Sequence, residues 1–146
     1  MKLFRKDLED GLNKRLFEIN AESLGFYDKV LRDDKLSCLL SSKIIGQGFR
    51  VRGTLTADII KTCDRCLKEY SEIQTSYLNL ILTSNNDLFQ DNENMVLFPE
   101  SEEYLEMNNI VKDQILLELP MKTICSPECR GLCQKCGSDL NRINCV

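Results

Sequence analysis

From Phe49 to Ile59 apolar and polar positions alternate. Phe49, Val51, Gly53, Leu55, Ala57 and Ile59 are interleaved with Arg50, Arg52, Thr54, Thr56 and Asp58. Period two of this kind predicts a half-buried strand. After the short stretch "CDRC", the run "SEIQTSYLNLIL" is rich in β-formers, so residues 48 to 82 are expected to form two strands joined through Cys63 to Cys66. "SCLLSSKII" ahead of them predicts a third. Residues 83 to 103 are polar, acidic and asparagine-rich with Pro99 inside, the pattern of a long surface loop. Asn109 is then placed to cap a helix whose Val111, Ile115 and Leu119 share one face until Pro120 stops it. Residues 1 to 36 mix short alternation with helical spacing of Leu8 and Leu12 and support no single assignment.

Composition narrows the class. The 146 residues, 42% hydrophobic and 29% charged, fit one globular domain, and no apolar run is long enough to span a bilayer. "MKLFRKDLED" is basic but leads into no apolar stretch of signal-peptide length, so export is not expected and a reducing compartment is. There is no histidine, which removes Ser/His and Cys/His nucleophilic machinery and every imidazole ligand. The net charge of -4 is uneven: residues 84 to 118 hold nine acids against one lysine, leaving the remainder mildly basic. A protein held to nucleic acid mainly by phosphate neutralisation is usually basic overall, so only a local basic face is expected.

Eight cysteines in a reducing compartment point to metal or thiol chemistry ahead of disulfides. Four of them, Cys125, Cys129, Cys133 and Cys136, follow the spacing C-x3-C-x3-C-x2-C. Thiolates in close pairs suit tetrahedral structural zinc, which would order a tail poor in apolar side chains. These four are the expected zinc ligands. Gly137 and Gly131 allow the bends, Pro127 stiffens the first loop, and Arg130, Lys135 and Arg142 can offset the charge of a tetrathiolate. Unligated thiols and iron–sulfur ligation are the alternatives. Cys63 and Cys66 admit three readings: additional metal ligands, sharing an ion with Cys133 and Cys136; a redox pair, against which the strand-like flanks count; or a turn with two half-buried thiols. Cys38 is expected in the core, and Cys145 is at most a spare ligand.

The expected fold is therefore α+β: an antiparallel β-rich domain over residues 1–120, with the acidic loop 83–103 and a packed short helix 109–119. Residues 121–146 add a cysteine-rich, zinc-knuckle-like C-terminal tail of the same domain. The order "CDRCL", acidic loop, "LELP" and "CRGLCQKCGSDLN" resembles the YceD family, the large-ribosomal-RNA-subunit accumulation proteins of bacteria and plastids, from about Val51 to Cys145. The motif positions are Cys63, Arg65, Cys66, Leu67, Leu119, Pro120, Cys125, Cys129, Gly131, Leu132, Cys133, Cys136, Gly137, Leu140 and Asn141. The resemblance implies a non-enzymatic ribosome-biogenesis factor supporting 23S rRNA accumulation or processing and large-subunit assembly. Its partners would be pre-ribosomal RNA, a ribosomal protein or an rRNA-processing protein, with no membrane and no small-molecule substrate. The location implied is the bacterial cytoplasm, or the plastid stroma for a plastid chain. Many members continue past the position of Cys145 with a further cysteine, and some keep the first C-x2-C pair while lacking the tail cysteines. The region around Arg65 is thus the expected shared binding surface, with Arg50, Arg52, Lys61, Arg65 and Lys68 as candidate phosphate or protein contacts. A thiol-disulfide or metal-handling protein using Cys63 and Cys66 is the alternative of a different class.

Overall fold

The computed structural model describes residues 1–26, 29–46, 48–85 and 94–145. The chain runs β1 (Lys2–Phe4), α1 (Arg5–Asp10), β2 (Arg15–Asn20), a 3-10 turn (Ala21–Leu24), β3 (Lys35–Ile45), β4 (Gly48–Thr62), β5 (Glu69–Thr83), β6 (Met95–Leu97), β7 (Tyr104–Glu106) and α2 (Asn108–Leu117). Five strands form one sheet in the order β2-β3-β4-β5-β6, and β1 pairs with β7 in a separate ribbon. All pairings are antiparallel except β5 with β6.

The two long strands are the frame, and the alternation in the sequence is what builds them. β4 and β5 pair without a break from Gly48 opposite Thr83 to Thr62 opposite Glu69. Successive side chains on a strand point to opposite faces, so one face collects the apolar set. On that face Leu36, Cys38 and Leu40 of β3 meet Val51, Leu55 and Ile59 of β4 and Leu78, Leu80 and Leu82 of β5, all buried. The same core takes in Val111 and Ile115 of α2, Leu24 of the 3-10 turn, Leu8 of α1, Leu3 of β1, Leu105 of β7, and Met107 just after it. Cys38 is in this core as expected, and burial pushes its thiol up to about 12.

Several local assignments differ. Leu8 and Leu12 are both buried but share no helix, because α1 ends at Asp10 and Gly11 turns the chain with φ 80°. The Leu12 N–H then donates to Ser42 Oγ at 2.8 Å. Asn109 is not a cap: α2 begins at Asn108 behind Met107, with no side-chain capping bond. Asn108 is occupied elsewhere, accepting from the Met1 ammonium and donating to the Ser23 carbonyl at 3.2 Å. The helix also stops at Leu117, short of Leu119. Part of the presumed loop 83–103 lies outside the described residues, but Thr83 completes β5, Met95–Leu97 is a strand, and Phe98 is buried. Three residues are too few to display a period, so no pattern announced β6. Arg5 fixes this segment, donating to the carbonyls of Phe98, Pro99 and Glu102, with its guanidinium 4.0 Å from the centre of the Phe98 ring.

Gly53 interrupts the apolar face of β4 for a steric reason. A Cβ there would lie 2.2 Å from the Leu39 carbonyl oxygen and 2.6 Å from Leu40 Cδ2. Neighbouring backbone in the middle of a paired sheet cannot retreat far, so Gly53→Ala is expected to destabilise the fold by about 2 kcal/mol, measured by chemical denaturation against the parent chain.

Candidate metal centre

The turn between β4 and β5 is a compact knuckle. Cys63 N–H donates to Lys68 O at 2.9 Å and Leu67 N–H donates back to Cys63 O at 2.8 Å. Leu67 sits at φ 57°, a conformation that favours glycine. The closed turn points Cys63 and Cys66 away from solvent, and both are buried.

The tail is tied to this turn by backbone and side chain together. Asp64 N–H donates to Thr123 O at 2.8 Å while Thr123 N–H donates to Asp64 Oδ2 at 2.6 Å, and the Thr123 hydroxyl donates to the Thr62 carbonyl. Further on, Leu132 N–H donates to Arg65 O at 3.1 Å, and Arg65 Nη1 donates to Cys129 O at 3.0 Å. Gly131 lies at φ 75°, and a Cβ on it would come within 2.9 Å of Arg65 O, so both conformation and contact call for glycine there. Tyr70, Ile124 and Leu132 pack around the sulfurs as a small second core.

These ties bring four thiols together. The sulfurs of Cys63, Cys66, Cys125 and Cys129 all lie within 4.8 Å of one another, with Cys63 to Cys129 at 3.8 Å and Cys66 to Cys125 at 3.7 Å. With metal–sulfur bonds of about 2.3 Å, the edge of a zinc tetrathiolate tetrahedron is about 3.8 Å. The donor set and its spacing therefore fit a divalent, thiophilic ion. Asn141 Nδ2 donates to Cys129 Sγ at 3.4 Å, and its own Oδ1 accepts from Arg130 N–H at 2.8 Å. Such a contact orients a ligand sulfur and spreads its charge.

The expected tail quartet is divided. Cys125 and Cys129 join Cys63 and Cys66, while Cys133 and Cys136 lie in a second group with Cys145. The division has a physical cause: Gly131 and Leu132 dock on Arg65 and turn the chain between Cys129 and Cys133. Of the three readings open to the CDRC thiols, additional ligation is the one the geometry favours, with Cys125 and Cys129 in place of Cys133 and Cys136. The parts played by Thr123 and Asp64 carried no local signal, since the two meet across 59 residues.

Charge on the free thiols is unequal. Burial opposes ionisation of Cys63, but N–H donors of Cys125, Cys66 and Arg65 outweigh it and lower the group to about 6. Cys125 is pushed up to about 12 by burial, with the neighbouring thiols adding to the rise. The Cys66 thiol is raised as well: the Lys68 N–H favours its ionisation, but burial and Cys63 together prevail.

The five candidate basic contacts do not share a face. Arg50 and Arg52 point outward from β4, Arg52 Nε donating to Asn79 Oδ1 at 3.2 Å. Lys61 falls on the opposite face by strand alternation, where its side chain is only 8% exposed and pairs with Glu72 at 2.9 Å. Arg65 is engaged by Cys129. Lys68 lines a surface cavity of about 580 Å³ with Cys66, Cys125, Arg130 and Arg142, a local cationic balance to a thiolate centre. Glu128 and Asp139 share that cavity, and hydrogen bonds from Asn141 hold the Asp139 carboxyl below the usual range.

Among known proteins, the family model described as "Large ribosomal RNA subunit accumulation protein YceD" matches residues 51–145. An uncharacterized protein of Mycobacterium tuberculosis is 28% identical over 97 residues, covering 66% of this chain and 47% of its own length. The chloroplastic large ribosomal RNA subunit accumulation protein YCED homolog 1 of Zea mays is 30% identical over 63 residues, 43% of this chain and 22% of its own. Its Arabidopsis thaliana counterpart is 25% identical over 124 residues, 66% of this chain and 39% of its own. The chain thus spans less than half the length of these relatives. No solved structure matches it at a significant level.

A metal ion bound at this centre would displace thiol protons, at least those of Cys66 and Cys125, so its affinity is expected to fall as pH falls. Two displaced protons give a drop of about a hundredfold per pH unit below neutrality. Chelator competition at pH 8, 7 and 6 measures that slope; a flat profile would mean that the sulfurs are not the ligands.

Proposed function

The chain belongs to the YceD family of large ribosomal RNA subunit accumulation proteins, and from that membership we propose that it is a non-enzymatic ribosome-biogenesis factor supporting 23S rRNA accumulation and large-subunit assembly. It would work in the bacterial cytoplasm, or in the plastid stroma if the chain is of plastid origin, on pre-ribosomal RNA together with a ribosomal or rRNA-processing protein. The observation that carries the reading is the extent of the family match: residues 51–145 take in the long hairpin, the thiol centre and the tail docked on it.

In this reading zinc is structural. Four thiolates and no imidazole favour zinc over harder ions, and the ion fixes the 121–146 tail to the 1–120 domain. What zinc supplies there is charge neutralisation and cross-linking, and the chain's own residues do the recognition. Arg50 and Arg52, with Lys43 opposite Arg50 on β3, present a cationic end to the outer sheet face for phosphate. Farther along that face Leu39, Ile73 and Tyr77 are exposed, Tyr77 by 73%, and suit a protein surface or an unstacked base. The alternative, thiol-disulfide exchange by Cys63 and Cys66, is disfavoured because the pair sits in a strand-to-strand turn with two further thiols at ligand distance.

Depletion of the protein is expected to lower the ratio of large- to small-subunit rRNA, read on total RNA. Complementation with Arg50→Glu/Arg52→Glu should fail to restore the ratio, and the variant should leave the precursor particle in gradient sedimentation while folding normally. An unchanged rRNA ratio on depletion would overturn the function, whereas a functional double variant would exclude that face.

A further inference from the structure

The second cysteine group was not anticipated as a unit, and it repeats the construction of the first. In "CDRCLK" the Cys63 N–H bonds the carbonyl of the sixth residue, Lys68, and the Leu67 N–H bonds the Cys63 carbonyl. In "CQKCGS" the Cys133 N–H bonds the carbonyl of the sixth residue, Ser138, and the Gly137 N–H bonds the Cys133 carbonyl, each at 2.8 Å. The fifth residue has positive φ in both, 57° at Leu67 and 72° at Gly137. The two loops are therefore the same knuckle, a backbone form that turns a pair of thiols toward one point. At the second knuckle a third thiol arrives from the chain end: Cys133, Cys136 and Cys145 have sulfurs within 4.8 Å of one another, with Cys136 to Cys145 at 3.3 Å. Turns after Asp139 carry Cys145 back, the Arg142 and Ile143 N–H groups both bonding the Asp139 carbonyl at 3.1 Å.

We propose that Cys133, Cys136 and Cys145 form a second site for a thiophilic divalent ion of the zinc class, separate from the Cys63 centre and more open to solvent. The residue chemistry differs from the first site in two ways. Cys136 and Cys145 are exposed, whereas Cys63, Cys66 and Cys129 are buried. The group also brings three sulfurs together where the first brings four. The ion at this site consequently exchanges faster and yields first to a chelator. Nothing in the ribosomal reading requires it, because the tail is already fastened through Cys125 and Cys129.

The test is metal stoichiometry on the full chain, purified reduced and without chelator, then titrated with cobalt(II) and with cadmium-113. Two equivalents per chain are expected, with two cadmium resonances, the one from three sulfurs upfield of the one from four. Cys133→Ser/Cys136→Ser/Cys145→Ser should hold one equivalent and keep the four-sulfur resonance. Cys63→Ser/Cys66→Ser should retain the three-sulfur resonance. A single equivalent in the parent chain would overturn the proposal, as would one resonance abolished by either set of substitutions, which would mean one shared site. Because cadmium resonances are read on the unsubstituted chain, a variant that fails to fold does not remove the test. rRNA accumulation plays no part in it, so its failure leaves the ribosomal reading standing.

Discussion

Four sulfurs converging between a hairpin turn and a tail are the constraint on which the C-terminal tail depends. Thiols at this separation pack poorly by themselves: ionised they repel, and neutral they give only weak donors to one another. A divalent ion reverses the sign of that interaction and makes the crowding favourable. The hydrogen bonds between Asp64 and Thr123, and between Arg65 and the 129–132 segment, hold the four sulfurs at the separation such an ion would need. The second core of Tyr70, Ile124 and Leu132 is small for some two dozen residues, so coordination would add to the tail what burial already gives the sheet.

The sheet is held by ordinary means, and this separation of mechanisms divides the surface as well. One face of β3, β4 and β5 is filled by helices and by the β1–β7 ribbon. The other carries Arg50, Arg52, Leu39 and Tyr77 into solvent. Lys61, which shares the sequence neighbourhood of those arginines, is on the filled side and is consumed by Glu72. Proximity along the strand says little about which cations can act together. Parity along the strand decides it.

Much of this was legible in the chain itself. The alternation from Phe49 to Ile59 and the β-rich run after Cys66 placed the long hairpin, because a period of two sustained over many residues suits an extended chain with one buried face and no helix. The α+β class with its cysteine-rich tail followed. What was not legible shares one cause, dependence on distant partners. β1, β6 and β7 are three residues each and exist because a neighbour pairs with them. Asn108 starts α2 only in the company of Met1 and Ser23. At the metal centre the sequence named the thiols but could not partition them. Spacing reports which cysteines can face one point, and the docking of Gly131 on Arg65 decides which pairs do.

The unbroken ladder between β4 and β5 has an evolutionary consequence. Cys63 faces the other three sulfurs because it lies a fixed number of steps from the apolar positions that set the strand's orientation in the sheet. One residue gained or lost within β4 would rotate the end of the hairpin by half a turn and present Thr62 or Asp64 where sulfur belongs. An ion held there would therefore act as a length gauge on the sheet, adding its own penalty for odd changes in strand length to the one the apolar core already imposes.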